Sequence, residues 1–398
     1  MKKDFQLYIL LILSVIYIPA AYLYVAADFV IRFFKGNMEN KLKGDKNKLS
    51  VLIYAYIFIG AALSKYLLIS SMYGLMMLLC LYAYNRTKEN MNYINLHTVK
   101  KILYMVSLTV FIVGIVQFLN PQFSIPVKWV DNKAYSLNKR AYATFFNPNV
   151  FGFYINMILA AVIVNMKKIN RLEVFVLLTG VISLFLTFSR TSWVSLPVTL
   201  VLLGIFVDKK YFVYAFIIAA VLTGLDKLFD IGRLNPLKAA KDSSIIYRLE
   251  IWKACIEIFK DNMITGIGFG TLSKYITSYS TVVKSNIEHC HNIYLQVLTE
   301  TGISGFSIFL YILYKLFRNI SFKFKNKKNN HITVTYLALM IMIMLHSLVD
   351  SVLFTPQILM IINIIAGTMT DCNKSLYISD KIENHQILFT GFIKKNVG

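Results

Sequence analysis

Acidic residues are scarce in this chain. Asp and Glu number 20 against 42 Lys and Arg, a formal net charge of +22 over 398 residues. No Asp-x-Asp pair occurs anywhere in the sequence, so the commonest carboxylate pair for holding a metal on a phosphate-bearing substrate is missing. The four cysteines follow no spacing rule of a disulfide framework; Cys255 and Cys290 share one long loop and could pair in an oxidising compartment. No internal repeat is visible. The positive charges are dispersed among loops and form no aromatic-interleaved patch, which excludes a nucleic-acid footprint.

What the chain has in excess is apolar surface. Hydrophobic residues make up 57% of it and aromatics 14%, arriving in blocks of Leu, Ile, Val and Phe long enough to cross a bilayer. Continuous blocks, rather than short alternating segments, require the backbone to satisfy itself in helices. The expected fold is an all-α, polytopic membrane bundle. The start, MKKDFQLYILLILSVIYI, mimics a secretory signal, but the apolar run continues through Pro19 to Phe34, so cleavage is not expected. Read as a hairpin about Pro19, block 5–34 brings the count to about 12 spans; read as one helix, it leaves 11.

Most Lys and Arg fall in loops that share one side, including RNISFKFKNKK near residue 320. By the positive-inside rule that side is cytoplasmic, with both termini in the cytoplasm under the hairpin reading. The expected layout is transmembrane helices over 1–226, a large extracytoplasmic loop over 227–290, further transmembrane helices over 291–372 and a cytoplasmic tail over 373–398. A second outer loop covers 120–147.

Polar groups that border apolar segments gather on the outer side: Arg140 in KRAYATFFNPN, Arg190 in FSRTSW, Arg248 in YRLEIWKA, and His289 with His291. An arginine at mid-span costs roughly 2.5–3.5 kcal/mol, so the chain should turn at Arg190, although a snorkelling arginine at a helix end reads the same way. Asn147 and Pro148 suit an N-cap and first turn. Leu249, Trp252, Ile256 and Phe259 recur at helical spacing and predict an amphipathic helix opening at Arg248, lying against the bundle. The following TGIGFG reads as a flexible turn.

His291 precedes a span running inward, so it sits at a helix N-terminus. That positive dipole end disfavours a proton on imidazole and favours an anion nearby. A capping histidine is the plainer alternative, and His289 reads as a loop residue. A His-x-His pair with no suitably spaced third ligand is a weak metal signal, so neither metal nor cofactor is expected. Glu300, His346 and Asp350 remain open between packing and function.

Arginines can clamp a diphosphate, and a neutral histidine can deprotonate a hydroxyl; together they suit glycosyl transfer from a lipid diphosphate. RAYATFFNPNVFGFY, FSRTSW, YRLEIWKA with GIGFG downstream, and HNIYLQVLTETGISGF together resemble the O-antigen ligase and O-antigen polymerase superfamily of bacterial membrane glycosyltransferases. That resemblance implies a metal-independent enzyme of the cytoplasmic (inner) membrane, its active face extracytoplasmic. The donor would be an undecaprenyl-diphosphate-linked glycan and the acceptor a glycan or lipid-linked hydroxyl. Arg190 and Arg248 would bind the diphosphate with Arg140 nearby, and His291 would be the base. A flippase for lipid-linked oligosaccharide is the alternative, for which Glu300 and His346 would be the mid-membrane groups.

Overall fold

The computed structural model describes residues 2–35, 48–120, 139–166, 170–235, 243–283, 287, 289–325 and 331–369. Residues 121–138 of the second outer loop, residues 236–242, 284–286 and 288 of the large loop, Cys372 and the tail over 373–398 lie outside the described residues. Among the described residues there are helices and no strands, as apolar blocks of this kind require.

The long helices are α1 (Lys2–Ile16), α2 (Ile18–Phe34), α3 (Lys48–Ala62), α4 (Leu67–Asn90), α5 (Leu96–Leu119), α6 (Pro148–Asn165), α7 (Arg171–Leu186), α8 (Arg190–Phe206) and α9 (Lys210–Leu228). Then come α10 (Ser243–Asp261) and α11 (Leu272–Tyr279), followed by α12 (Ile293–Lys325), α13 (His331–His346) and α14 (Pro356–Met369). Block 5–34 is two helices. Tyr17 breaks the run, Pro19 enters the first turn of α2, and Gln6 and Asp28 line one cavity, so the chain folds back on itself.

Among the described residues, five helices are long and apolar enough to cross a membrane: Leu67–Tyr93, Leu96–Leu119, Pro148–Asn165, Lys210–Leu228 and Ile293–Ser321. Shorter apolar helices run over Gln6–Ile16, Leu49–Ala62, Arg190–Phe206, His331–His346 and Pro356–Met369. Large apolar side chains such as Leu23, Phe58, Leu68, Phe206 and Phe216 are left exposed around the bundle, the surface that a hydrocarbon solvent would cover.

Helix α6 is the axis. Its apolar window is 89% buried, and it packs against α5, α7, α8 and α13. Phe151, Phe153, Tyr154, Ile155 and Leu159 on α6 share one core with Phe111, Leu184, Trp193, Leu196 and Met342. Asn147 caps it, its side chain accepting from the Asn149 and Val150 N–H groups, and Pro148 occupies the first turn. The start of α6 therefore sits at a fixed height at one end of the bundle, called the upper end below.

Two readings of the large loop need correction. Helix α10 starts at Ser243, so Arg248 is in its second turn rather than at its opening. The buried stripe is Ile251, Ala254, Cys255 and Ile258, whereas Leu249 and Ile256 are exposed. The loop has its own small core with Leu272, Ile276 and Cys290, and that core selects the face, which spacing alone left ambiguous between neighbouring stripes.

TGIGFG is also not a flexible turn. Helix α12 is interrupted at Gly302, which has φ 62° and ψ −168°, and the break frees peptide groups that the loop satisfies. Ile267 N–H donates to the Thr299 carbonyl at 3.2 Å and Gly268 N–H to the Glu300 carbonyl at 2.9 Å; Ile303 N–H donates back to the Met263 carbonyl at 2.8 Å. Glu300 is buried here: one oxygen accepts from the Gly270 N–H at 2.9 Å and the other from Gln296 Nε2 at 2.7 Å. This open question is resolved toward packing.

A Cβ on Gly266 would collide with the Glu300–Thr301 backbone, and its φ of 67° is unsuited to other residues. Gly266→Ala should therefore destabilise the protein by about 2 kcal/mol or more, read as a lower thermal unfolding midpoint in detergent. A surface change such as Lys274→Ala should leave that midpoint in place.

Candidate active site

Five residues other than glycine have left-handed backbones among those described: Ala143, Phe146, Phe188, Asp230 and His291, with φ between 46° and 54°. All five lie in the connections between long helices at the upper end, Ala143 in a short 3-10 turn. Each such residue costs roughly 1–3 kcal/mol, and such strain collects where function requires it.

Near these positions stand the sequence-derived arginines: Arg140 ahead of α6, Arg190 at the first position of α8 and Arg248 in α10. Arg140 is buried; its Nε donates to the Thr187 carbonyl at 2.7 Å and its Nη2 to Asn149 Oδ1 at 2.9 Å. Thr187 belongs to the short turn between α7 and α8, where the chain reverses just before Arg190. Phe188, in the same turn, is held through its carbonyl by Arg233, from Nε at 3.1 Å and Nη2 at 3.0 Å. Arg233 is itself placed by Asp226, whose carboxylate accepts the Arg233 and Leu234 N–H groups at 2.9 and 3.1 Å. Arg190 Nη2 reaches Ser244 Oγ at 3.4 Å, at the start of α10.

The other half of the site centres on Asp350, between α13 and α14. Its Oδ2 accepts from Asn149 Nδ2 at 2.9 Å and lies 4.0 Å from Arg248 Nη2. Its Oδ1 is 3.3 Å from His291 Nδ1. Arg248 Nη1 also donates to the Val349 carbonyl at 2.9 Å. Asn149 thus joins the two halves, with Arg140 on its oxygen and Asp350 on its nitrogen. Arg140, Arg248 and His291 come together directly in this network, and Arg190 flanks it.

The electrostatics are lopsided. Burial pushes the Arg140 guanidinium down to about 9, and Arg233 and Arg248 push the same way, with Asp350 opposing them and Arg190 adding to the repulsion. It remains cationic at neutral pH, inside a cluster whose positive charge calls for an anion. Burial alone would raise the Asp350 carboxyl, yet the hydrogen bond to His291 and the charges of Arg248 and the histidines hold it well below the usual carboxylate range. An ionised Asp350 can only accept, so His291 Nδ1 carries a hydrogen towards it, and the neutral tautomer that this pairing selects has its lone pair on Nε2.

His291 is stitched in place despite its strained backbone. Asn292 N–H donates to Ser351 Oγ at 3.0 Å, Asn292 Nδ2 to the Leu348 carbonyl at 3.0 Å, and Ile293 N–H to the Ser347 carbonyl at 3.0 Å. The His289 ring sits edge-on to His291, centroids 4.5 Å apart. Desolvation, then repulsion from His291, pushes His289 down to about 4.

The third metal donor that the sequence lacked is present in space. Ligand atoms of His289, His291 and Asp350 lie within 4.8 Å of one another, a donor set of a kind that zinc accepts. The surrounding arginines, which already oppose further positive charge on Arg140, argue against a resident dication there.

Residues 175–310 match the O-antigen ligase family model. The chain carries an O-antigen ligase domain of the O-antigen ligase and polymerase superfamily. The matched segment contains Arg190, Arg233, Arg248, His289 and His291, while Arg140, Asn149 and Asp350 lie outside it. Comparison with curated proteins found no match. The family match supports membrane glycosyl transfer in surface-polysaccharide assembly.

Sequence reasoning missed Arg233 and Asn149 and left Asp350 open. The segment around Arg233, IGRLNP, shows no motif, although a lone arginine beside Gly232 in a long outer loop was a visible signal. For Asp350, the signal was an acidic residue at a helix end in a chain poor in acids.

His289 gives a pH test of this packing. Its folded value lies below the ordinary 6.5, so the unfolded chain binds the proton first and stability is lost as pH falls from about 6.5 towards about 4. Thermal midpoints measured between pH 7 and 5 should decline for the wild type, and less steeply for His289→Gln.

Proposed function

We propose that this protein transfers glycan from an undecaprenyl-diphosphate-linked donor to an acceptor hydroxyl, at the outer face of the cytoplasmic membrane. The observation that carries this reading is the meeting of Arg140, Arg233 and Arg248 with a His291 imidazole whose Nδ1 faces the Asp350 carboxylate. In the reaction, His291 Nε2 takes the proton of the acceptor hydroxyl as its oxygen bonds to the anomeric carbon. The bond from that carbon to the diphosphate oxygen breaks, and the leaving diphosphate keeps the electron pair. Arg190 and Arg248 bind the diphosphate, with Arg140 and Arg233 adding to the field that stabilises its growing charge. Asp350 holds the His291 tautomer and stabilises the imidazolium that forms. No metal is needed, because guanidinium groups supply the charge. The product is a surface polysaccharide, extended by repeat units or attached whole to its acceptor.

The orientation follows from charge. Arg32, Arg86, Lys100, Arg171 and Lys210 border the helix ends away from the site, which supports a cytoplasmic lower end under the positive-inside rule. Twelve crossings, α1–α9 and α12–α14, then put both termini inside.

The test is a reconstituted assay with purified lipid-diphosphate glycan. Wild-type protein should release free undecaprenyl diphosphate, and EDTA should leave the rate unchanged; a flippase would leave the donor intact. His291→Ala should lower release by about 10²–10⁴-fold while donor binding survives. Asp350→Asn should lower it by about 10²-fold or more. Arg190→Ala or Arg248→Ala should weaken donor binding by at least about tenfold. Full turnover in the histidine variant would remove His291 from the role of base.

A further inference from the structure

Helix α10 and the segment carrying His291 are distant in sequence and tightly fastened in space. Trp252 Nε1 donates to the Cys290 carbonyl at 2.9 Å, and Thr299 Oγ1 donates to the Cys255 carbonyl at 3.3 Å. The Cys290 N–H donates to Gln296 Oε1. At the centre of these contacts the two sulfurs, Cys255 Sγ and Cys290 Sγ, lie 2.8 Å apart. Both residues are fully buried, enclosed by Ile251, Ile258, Leu272 and Ile276. Cys80 is elsewhere, in α4 against the Tyr22 hydroxyl.

A thiol is a weak donor and a weak acceptor, so two S–H groups would contribute little to holding this junction. What they join matters more. Two turns before Cys255, α10 carries Arg248, and one residue after Cys290 stands His291 with its left-handed backbone. Both side chains converge on Asp350. We propose that Cys255 and Cys290 form a disulfide in the mature protein, a covalent staple that fixes α10 to the histidine segment and so sets the spacing of Arg248 and His291. This rests on the orientation proposed above, in which the large loop faces the oxidising exterior.

The oxidant is a disulfide-bearing thiol oxidase of that compartment. One cysteine thiolate attacks an oxidant sulfur, forming a mixed disulfide and freeing the other oxidant sulfur as a thiol. The second cysteine then attacks its partner's sulfur, and the oxidant leaves as a dithiol carrying the two electrons and two protons lost by the pair. Because both sulfurs are closed off in the folded loop, the exchange takes place before α10 packs.

The test uses full-length protein in isolated membranes. Without reductant, it is denatured in SDS, alkylated with N-ethylmaleimide, digested and analysed by mass spectrometry. The expected result is a linked pair of Cys255 and Cys290 peptides with Cys80 alkylated; alkylation of both Cys255 and Cys290 overturns the staple. Dithiothreitol should lower the thermal inactivation midpoint of the wild type towards that of the Cys255→Ser, Cys290→Ser double variant and leave the double variant unmoved. An equal response of both proteins to reductant also overturns it. Val282 is exposed in the same loop, and Val282→Cys in the double-variant background reports orientation through a membrane-impermeant maleimide on intact cells. Labelled Val282→Cys with free native thiols overturns the disulfide alone. Unlabelled Val282→Cys, against an inward-facing label control, overturns the orientation on which it rests.

Discussion

One buried carboxylate organises the upper end of this bundle. Asp350 takes hydrogen bonds from Asn149 and its own neighbour Ser351, pairs with His291 and lies beside Arg248. Through Asn149 it reaches Arg140 as well. A buried charge is tolerated only when such partners replace water, and here the partners come from α6, α10, the segment ahead of α12 and the end of α13. The same carboxylate therefore closes the junction of those elements and dictates which nitrogen of His291 stays basic. Loss of the charge would disturb both, which is why its place is deep and its neighbours are cationic.

A second constraint is backbone accounting. Helix α12 breaks at Gly302 inside an apolar segment, where unpaired peptide groups are costly. The glycine-rich loop from 265 to 270 satisfies them by approaching with positive φ at Gly266, Gly268 and Gly270. That pairing anchors one end of the large loop, while the contacts of Trp252 and Cys290 anchor the other. Between these anchors α10 is held at a height where Arg248 meets Asp350. The strained residues Phe188 and His291 are likewise held by their neighbours' hydrogen bonds rather than by their own preferences.

Much of the fold was legible because apolar run length is a one-dimensional property. The helix starts at Pro148 and Arg190 and the helical character of 249–259 could be read from local residue order, while the hairpin about Pro19 stood beside a single-helix alternative. The site was legible in part: Arg140, Arg190, Arg248 and His291 stand out as charged groups beside apolar blocks. Arg233 did not, since its role is to hold the Phe188 carbonyl 45 residues away. The buried face of α10 was misread because Leu249 and Ile256 fit a helical stripe as well as Ile251 and Ile258 do. Which stripe is covered depends on Leu272 and Cys290, which no window around α10 contains.

Residue order alone determined the class of molecule: apolar helices, a basic charge bias, and a set of arginines and a histidine placed at helix borders with ordered family motifs. Tertiary structure alone decided which of those groups meet. Asp350 is separated from His291 by 59 positions and from Asn149 by 201, and only packing around α6 brings them within hydrogen-bond range. The physical reason is that local order sets how each segment satisfies its own backbone and solvent, whereas the partner of His291 and the charge density around Arg140 are supplied by neighbours from the whole fold.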